Sequence, residues 1–373
     1  MIWLIAAFAV GVLSGAGAVL FRRRRGLKGR GQFPGKSQEA RTQAAVQIRL
    51  AMGPSIVAVG GGTGLSSLLL GLKAYTKNLS AVVTVTDEGG SSGRLIRDWG
   101  VLPPGDIRNC LVALSENDSH LSSFLDFRFD RGDLKGHSLG NLMLLAAIEQ
   151  TGDFKNGVQL MNRLLSVRGR VLPITTEVVT LAAKLEDGGI VRGELEVSQH
   201  GDKIEEIWLE PKDAEPERET IQAVEGADMI VLGPGSLFTS VIPNLLVPGF
   251  ADAVRDGAAP VIYVANLMTQ PGETSALSLM DHVRWIAKTL GRFPDGVVVN
   301  QAPIVPALRD RYEERGSVPL TLSEAEEEDL VSLGCNVYRE LLLQVKDGTV
   351  IRHHSARLAE VLMRALRHFR PLS

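Results

Sequence analysis

Twice in this chain a short, unbroken apolar run passes straight into a cluster of glycines. Ile56 to Val59 meets Gly60, Gly61, Gly62, Thr63 and Gly64, and Met229 to Leu232 meets Gly233-Pro234-Gly235-Ser236. A continuous apolar run reads as a strand buried on both faces, and a chain leaving such a strand for a helix must turn sharply. Glycine permits that turn through positive φ and the missing Cβ. The helical stretch Leu65 to Tyr75 and the β-branched run Ala81 to Thr86 complete a β-α-β unit. Further buried-strand signals lie at Val261 to Ala265 and Val297 to Asn300, with helical segments between several of them. The expected architecture is α/β, a mostly parallel sheet covered on both faces. One stretch differs: Val178 to Pro211 alternates apolar and polar residues around Gly188-Gly189 and Gly201, which predicts an appended antiparallel β-meander.

Before this domain comes a segment of another character. Ile2 to Phe21 is 20 residues without a charge, followed at once by Arg22, Arg23, Arg24 and Arg25, then Lys28 and Arg30. At about 1.5 Å per residue such a helix spans the roughly 30 Å of a bilayer core. A cleaved signal carries its charges before the apolar run; here they follow it. The basic flank predicts one transmembrane helix with Met1 outside and the main domain in the cytoplasm, a single-pass protein of the inner membrane. Gly11, Gly15 and Ala18 form a small-residue face on that helix. Residues 1–25 are thus read as a transmembrane anchor, 26–54 as a basic tether with at most one short helix after Ser37, and 55–373 as the α/β domain. The 40 basic and 43 acidic residues nearly cancel, which argues against nucleic acid as a partner. Cys110 and Cys335 belong to no spaced framework and read as reduced thiols.

Five loops carry candidate chemistry. Gly61, Gly62, Thr63 and Gly64 sit where a new helix presents free N–H groups, which suits a phosphate, although a tight structural turn would need the same residues. The spacing is not that of a dinucleotide fingerprint, and no Walker lysine follows. Past the second strand, Asp87-Glu88-Gly89-Gly90-Ser91-Ser92-Gly93-Arg94 combines carboxylates for ribose, proton or magnesium with hydroxyls and a cation for phosphate. Pro103 to Asn109 and Gly136 to Asn141 add Asn109, His137 and Asn141, with Asp106 and Ser138 equally suited to cap the helices that follow. The letters G-H-S-L-G match a hydrolase elbow only in spelling, since no strand precedes them. Gly233, Gly235 and Ser236 repeat the glycine turn, and Asn266 and Thr269 offer amide and hydroxyl groups for a base or sugar edge. Arg352 stands at a strand-to-helix junction, with an exposed ion pair as the alternative to a phosphate contact. His353-His354 reads as surface, and Ser355 as the cap of the last helix.

Taken together and in this order, the residues GGGTGLS (60–66), TDEGGSSGR (86–94), PPGDIRN (103–109), GHSLGN (136–141), VRGRVLP (167–173), GPGSLFTSVIPNLL (233–246) and NLMTQPGET (266–274) resemble the gluconeogenesis-factor (YvcK-like) branch of the CofD-like superfamily. The resemblance runs from about residue 55 to the end. It implies a Rossmann-like fold and binding of a UDP-sugar, UDP-N-acetylglucosamine, by a regulator that links carbon metabolism to cell-wall precursor supply and cell shape. Arg352 falls in the Arg-His segment that helps bind the sugar nucleotide in such proteins. The family commonly has paired aspartates where this chain has Asp87-Glu88.

The leading expectation is a nucleotide-sugar-binding regulator, with no catalytic residue assigned and no certain cofactor. A protein partner is expected among cell-wall precursor enzymes such as glucosamine-6-phosphate synthase, along with self-association into a homo-oligomer. The first rival is a CofD-type magnesium-dependent phospholactate transferase, in which Asp87 would hold the metal. The second is an NAD(P)-dependent oxidoreductase, for which no hydride-transfer partners are evident.

Overall fold

The computed structural model describes residues 38–116 and 119–370, in a chain that divides into two compact units, Met1–Ile48 and Arg49–Ser373. Of the smaller unit only residues 38–48 are described; they open the helix Gln38–Ala51, the one helix expected after Ser37. The apolar run Ile2–Phe21 and its basic flank lie outside the described residues. Among the described residues no single helix is long and apolar enough to cross a membrane.

The larger unit holds the strands β1 (Ile56–Gly60), β2 (Leu79–Val83), β3 (Arg170–Pro173), β4 (Thr180–Leu185), β5 (Ile190–Arg192), β6 (Ile204–Glu210), β7 (Met229–Leu232), β8 (Val261–Val264), β9 (Gly296–Asn300), β10 (Asn336–Glu340), β11 (Leu343–Lys346) and β12 (Val350–His353). Seven of them form one parallel sheet in the order β10-β9-β8-β7-β1-β2-β3. From β1 the chain steps outward through β2 to β3, and from β7 it steps the opposite way through β8 and β9 to β10. Right-handed crossovers then put the two sets of connecting helices on opposite faces. The order reverses between β1 and β7, which pair directly from Ile56↔Met229 to Val59↔Leu232. A crevice opens there beyond the strand ends, the usual ligand site of such sheets. The two glycine turns follow these two strands.

The expected antiparallel segment is present as a three-stranded sheet, but its order is β5-β4-β6 and not that of a meander: β4 is central and pairs with both neighbours. The short helix Glu194–Gln199 lies between β5 and β6, which therefore do not form the expected hairpin. A second hairpin, β11-β12, turns through the three residues Asp347, Gly348 and Thr349, with positive φ of 52° and 66° at the first two. β2 is shorter than the apolar run suggested. The ladder ends at Val83, and Thr84 to Thr86 stay buried beneath the first glycine turn, with the Thr84 amide donating to the Gly60 carbonyl at 3.1 Å.

The helix Gly62–Leu72 shows how the core is built. Leu65, Leu68, Leu69 and Leu72 recur at helical spacing and are fully buried. The helix packs against Gly105–Leu114 and against Ser355–Phe369. Gly71 makes the second contact: a Cβ there would run into the Ser355 carbonyl and reach within 3.1 Å of the Ala359 methyl. Gly71→Ala should therefore destabilise the protein by about 1–3 kcal/mol through overpacking, despite the better helix propensity of alanine. Denaturant melts check this, and unchanged stability would mean that the helices can slide apart at no cost.

Candidate functional site

A cleft of ≈ 490 Å³ lies over the strand ends at the switch point, between the turn Gly61–Gly64, the turn Pro234–Ser236, the loop Asn266–Pro271, and a far wall formed by Tyr312, Arg315, Ser317 and Ile351–His353. The two turns touch. Gly62 has φ +63° with open space around it, so conformation alone calls for glycine. Gly64 needs glycine for room, because a Cβ there would collide with the Pro234 carbonyl.

Each turn is fixed by side chains from elsewhere. The helix Gly62–Leu72 has no side-chain cap from its own N-terminus. Instead the Asp106 carboxylate accepts the Gly62 amide and a bond from the Asn109 side chain. The amides of Thr63 and Gly64 have no acceptor among the described residues, and both residues line the cleft at the start of the helix. At the second turn, Asn266 is used up as a clamp: Oδ1 accepts from the Gly235 amide at 3.2 Å, and Nδ2 donates to the Gly235 carbonyl at 2.8 Å and to Gln270 Oε1 at 3.3 Å. Gln270 in turn donates to Ser236 Oγ at 2.6 Å. Glu273 Oε1 accepts the Phe238 amide at 2.9 Å, and its carboxylate also takes the Thr239 amide and the Ser236 side chain. The helical turn after Ser236 is thus already capped, so the two glycine turns are not equivalent anion sites.

The far wall is stitched to the β8 loop. The Thr269 amide donates to the Val318 carbonyl at 2.7 Å, the Val318 amide to Thr269 Oγ1 at 3.0 Å, and Ser317 Oγ to the Thr269 carbonyl at 2.6 Å. Tyr312 Oη accepts the Ile351 amide at 2.9 Å, tying this wall to β12 beside Arg352. Arg352 is exposed, lines the cleft, and bonds within the described residues only to the Ile351 carbonyl, at 3.1 Å, so the ion-pair alternative does not occur. His353 is not at the surface: it is buried, its Nε2 lies 3.2 Å from the Ala265 carbonyl, and burial pushes its pKa down to about 4. The last helix is capped by His354 rather than Ser355.

The CofD model, described as 2-phospho-L-lactate transferase, matches residues 56–343. The gluconeogenesis factor of Bacillus subtilis is 42% identical over 316 residues, spanning 84% of this chain and 98% of that protein. The chain belongs to the CofD-like family, in its gluconeogenesis-factor branch. The gluconeogenesis factor of Halalkalibacterium halodurans is also 42% identical, over 83% of this chain and 95% of that one. A relative from Clostridium acetobutylicum is 44% identical, with 85% of this chain covering 70% of it. The crystal structure of a UPF0052-family protein from Bacillus halodurans shares the fold with a TM-score of 0.77 and 41% identity, covering 83% of this chain and 99% of that one. The transferase match ends at the start of β11, before the strand that carries Arg352.

Within this CofD-like frame, several expected site residues lie outside the cleft lining. Ser91 Oγ is 2.9 Å from His137 Nδ1 and accepts from Asn141 Nδ2 at 3.0 Å, while Asn141 Oδ1 accepts from Arg108 Nε at 3.3 Å and Arg108 pairs with Asp126. Ser91, His137, Asn141 and Arg108 are buried and hydrogen-bond one another, away from the lining of this cleft. Ser92 Oγ accepts the Gly105 amide, and Arg94 lies against Gly136. Ser138 does cap the helix Leu139–Thr151. Gly233 shapes the second turn from φ +75° without lining the cleft. Asp87 also lies off the lining, with Oδ1 accepting the Gly89 amide at 2.9 Å.

Asp87 instead lies near two acids: Asp106, which was read as a helix cap but sits in the first turn of Gly105–Leu114 with Pro104 at the cap position, and Glu194, which no motif singled out. Burial, reinforced by the Asp87 charge, raises the Asp106 pKa to about 6 and that of Glu194 to about 7. Burial likewise raises Glu273 to about 7. Magnesium, which the CofD resemblance brings to mind, would find oxygen donors here. Among the described residues, however, no group of three His, Cys, Asp or Glu side chains is placed to hold a metal ion. The arrangement does not fit a resident metal.

These raised carboxyls make stability depend on pH. The folded state holds protons that the unfolded chain has released, so the group is least costly below its unfolded pKa, and stability falls as pH rises through about 6 to 7. Glu194→Gln keeps an acceptor for the Glu88 amide and removes one of these charges. Thermal melts from pH 5 to 8 should show the variant losing less Tm than the parent and exceeding it at pH 8; parallel curves would exclude Glu194 as a source of the slope.

Proposed function

We propose that the switch-point cleft binds a nucleotide sugar, UDP-N-acetylglucosamine in the first instance, and that the chain acts as a regulator of cell-wall precursor supply, and through it of cell shape, rather than as an enzyme. One observation carries the reading: the open Thr63 and Gly64 amides at a helix N-terminus share one cleft with the unpaired Arg352 guanidinium. Amides aimed at an anion and a planar cation form complementary sides of a phosphate site. The ≈ 490 Å³ cleft is within the range that holds cofactor-sized ligands. Among the residues lining it, no nucleophile is paired with a base, and the Ser91–His137 pair is buried elsewhere. The relatives of similar length carry the name gluconeogenesis factor and not that of the transferase.

Isothermal titration tests the ligand. UDP-N-acetylglucosamine should bind without magnesium, and Arg352→Gln should weaken it about tenfold, the discounted worth of one exposed charged contact. GDP binding that requires magnesium would instead support the CofD-type transferase. The apolar run Ile2–Phe21 and its arginines would tether the regulator to the inner membrane, with the α/β domain in the cytoplasm. Glucosamine-6-phosphate synthase is the proposed partner. A pull-down of the intact chain should recover it in amounts that change when UDP-N-acetylglucosamine is added, and equal recovery would count against ligand-gated partnering.

A further inference from the structure

We propose that Arg315 is the second arm of a two-arginine clamp, which with Arg352 makes the cleft select a nucleotide carrying two phosphoryl groups over one carrying a single phosphate. The proposal rests on the nucleotide-sugar reading of the cleft and extends it to a residue outside every recognised motif.

The argument begins with where positive charge is available. Of the amides at the two turns, Gly62's is taken by Asp106, those of Phe238 and Thr239 by Glu273, and Gly235's by Asn266. Two of these three acceptors are carboxyls, so the glycine side of the cleft supplies the open Thr63 and Gly64 amides while placing acid groups directly behind them. That is enough for one phosphoryl group and too little for a pyrophosphate. The compensating charge has to come from the opposite wall. His353 supplies none, being buried and neutral. Among the lining residues that leaves Arg352 and Arg315.

Arg315 is placed to serve. Asp310 and Glu313 are paired with Arg309, and neither they nor the adjacent Glu314 forms an ion pair with Arg315, which has no carboxylate partner among the described residues. Its backbone is held even though the side chain is exposed. The Arg315 amide donates to the Tyr312 carbonyl at 3.0 Å, and the next residue, Gly316, turns with φ +76° against Pro271. Ser317 is then bonded to Thr269 on the cleft floor. Because Tyr312 Oη also accepts the Ile351 amide, one side chain spaces the backbones that carry Arg315 and Arg352. Two guanidinium forks on a fixed wall can each meet one phosphoryl group, which a single fork cannot do for both.

Titration of the intact chain and of Arg315→Gln and Arg315→Lys with UDP and with UMP tests this. The parent should bind UDP at least tenfold more tightly than UMP. Arg315→Gln should weaken UDP about tenfold and change UMP less than twofold, collapsing the preference, with Arg315→Lys in between because it keeps charge without the fork. Thermal melts matching the parent would confirm that the variants fold. Retention of the full UDP preference in Arg315→Gln, or equal loss for both nucleotides, overturns the clamp while leaving the nucleotide site standing. If the parent binds neither nucleotide, the underlying reading fails and the clamp fails with it.

Discussion

The Pro234 carbonyl lies where a side chain at position 64 would begin, so the two strand-to-helix turns of this sheet meet backbone to backbone. That contact follows from strand order. Because β1 and β7 are neighbours whose crossovers depart in opposite directions, the chain opens between their ends, and the turns leaving the two strands form the sides of the opening. Gly64 permits the approach, Gly62 supplies the left-handed residue that starts the helix, and Asn266 holds Gly235 through both its amide and its carbonyl. The cleft is therefore framed by backbone, whose N–H groups cannot swing away as side chains do.

A backbone-lined crevice creates an electrostatic problem that the fold solves unevenly. Helix N-termini attract negative charge, and when no ligand is bound a buried one needs an acceptor. Here the protein supplies its own: Asp106 for the first helix and Glu273 for the second. At Glu273 the capping is thorough, whereas at Asp106 it stops after Gly62 and leaves two amides open. The asymmetry sets where an anion can sit. It also puts buried carboxyls under the site, and at Asp106 the neighbouring Asp87 charge adds to the effect of burial. The unpaired arginines stand on the one wall free of such acids, so the charge pattern of the cleft runs across it, from acid-backed amides to guanidinium.

The parallel sheet was legible because buried strands announce themselves as apolar runs, and β7 falls on Met229–Leu232 as the run suggested. The glycine turns were legible for the same reason, since glycine marks positions where backbone geometry leaves no choice. Polar residues in glycine-rich loops look alike whether they face a ligand or one another. Ser91, His137 and Asn141 read as ligand groups, and the fold buries them in a network of their own outside the cleft lining. Asn266 read as a base reader, and it lines the cleft with its side chain bonded to both backbone groups of Gly235. Glu194 sits in a segment whose alternation suggested strand, and a six-residue helix turns its carboxyl toward Asp87. Tyr312 and Arg315 carried no signal, because a polar amphipathic helix and its end read as surface, and their distance in sequence from β8 hides the hydrogen bonds that bring them to its loop.

The same wall is divided by the end of the CofD match, which takes in Tyr312, Arg315 and Ser317 and stops short of Ile351 to His353. The matched segment also contains the seven-stranded sheet, both glycine turns and the acids around Asp87. Arg352 lies beyond it, on a hairpin closed by Asp347-Gly348 and joined to the wall through Tyr312. A cation delivered by a separate hairpin can be gained or moved without disturbing the switch point, whereas the amide cradle is tied to strand order and cannot. Changes of ligand within such a family should therefore concentrate on the wall, and retention of the fold should concentrate on the glycines.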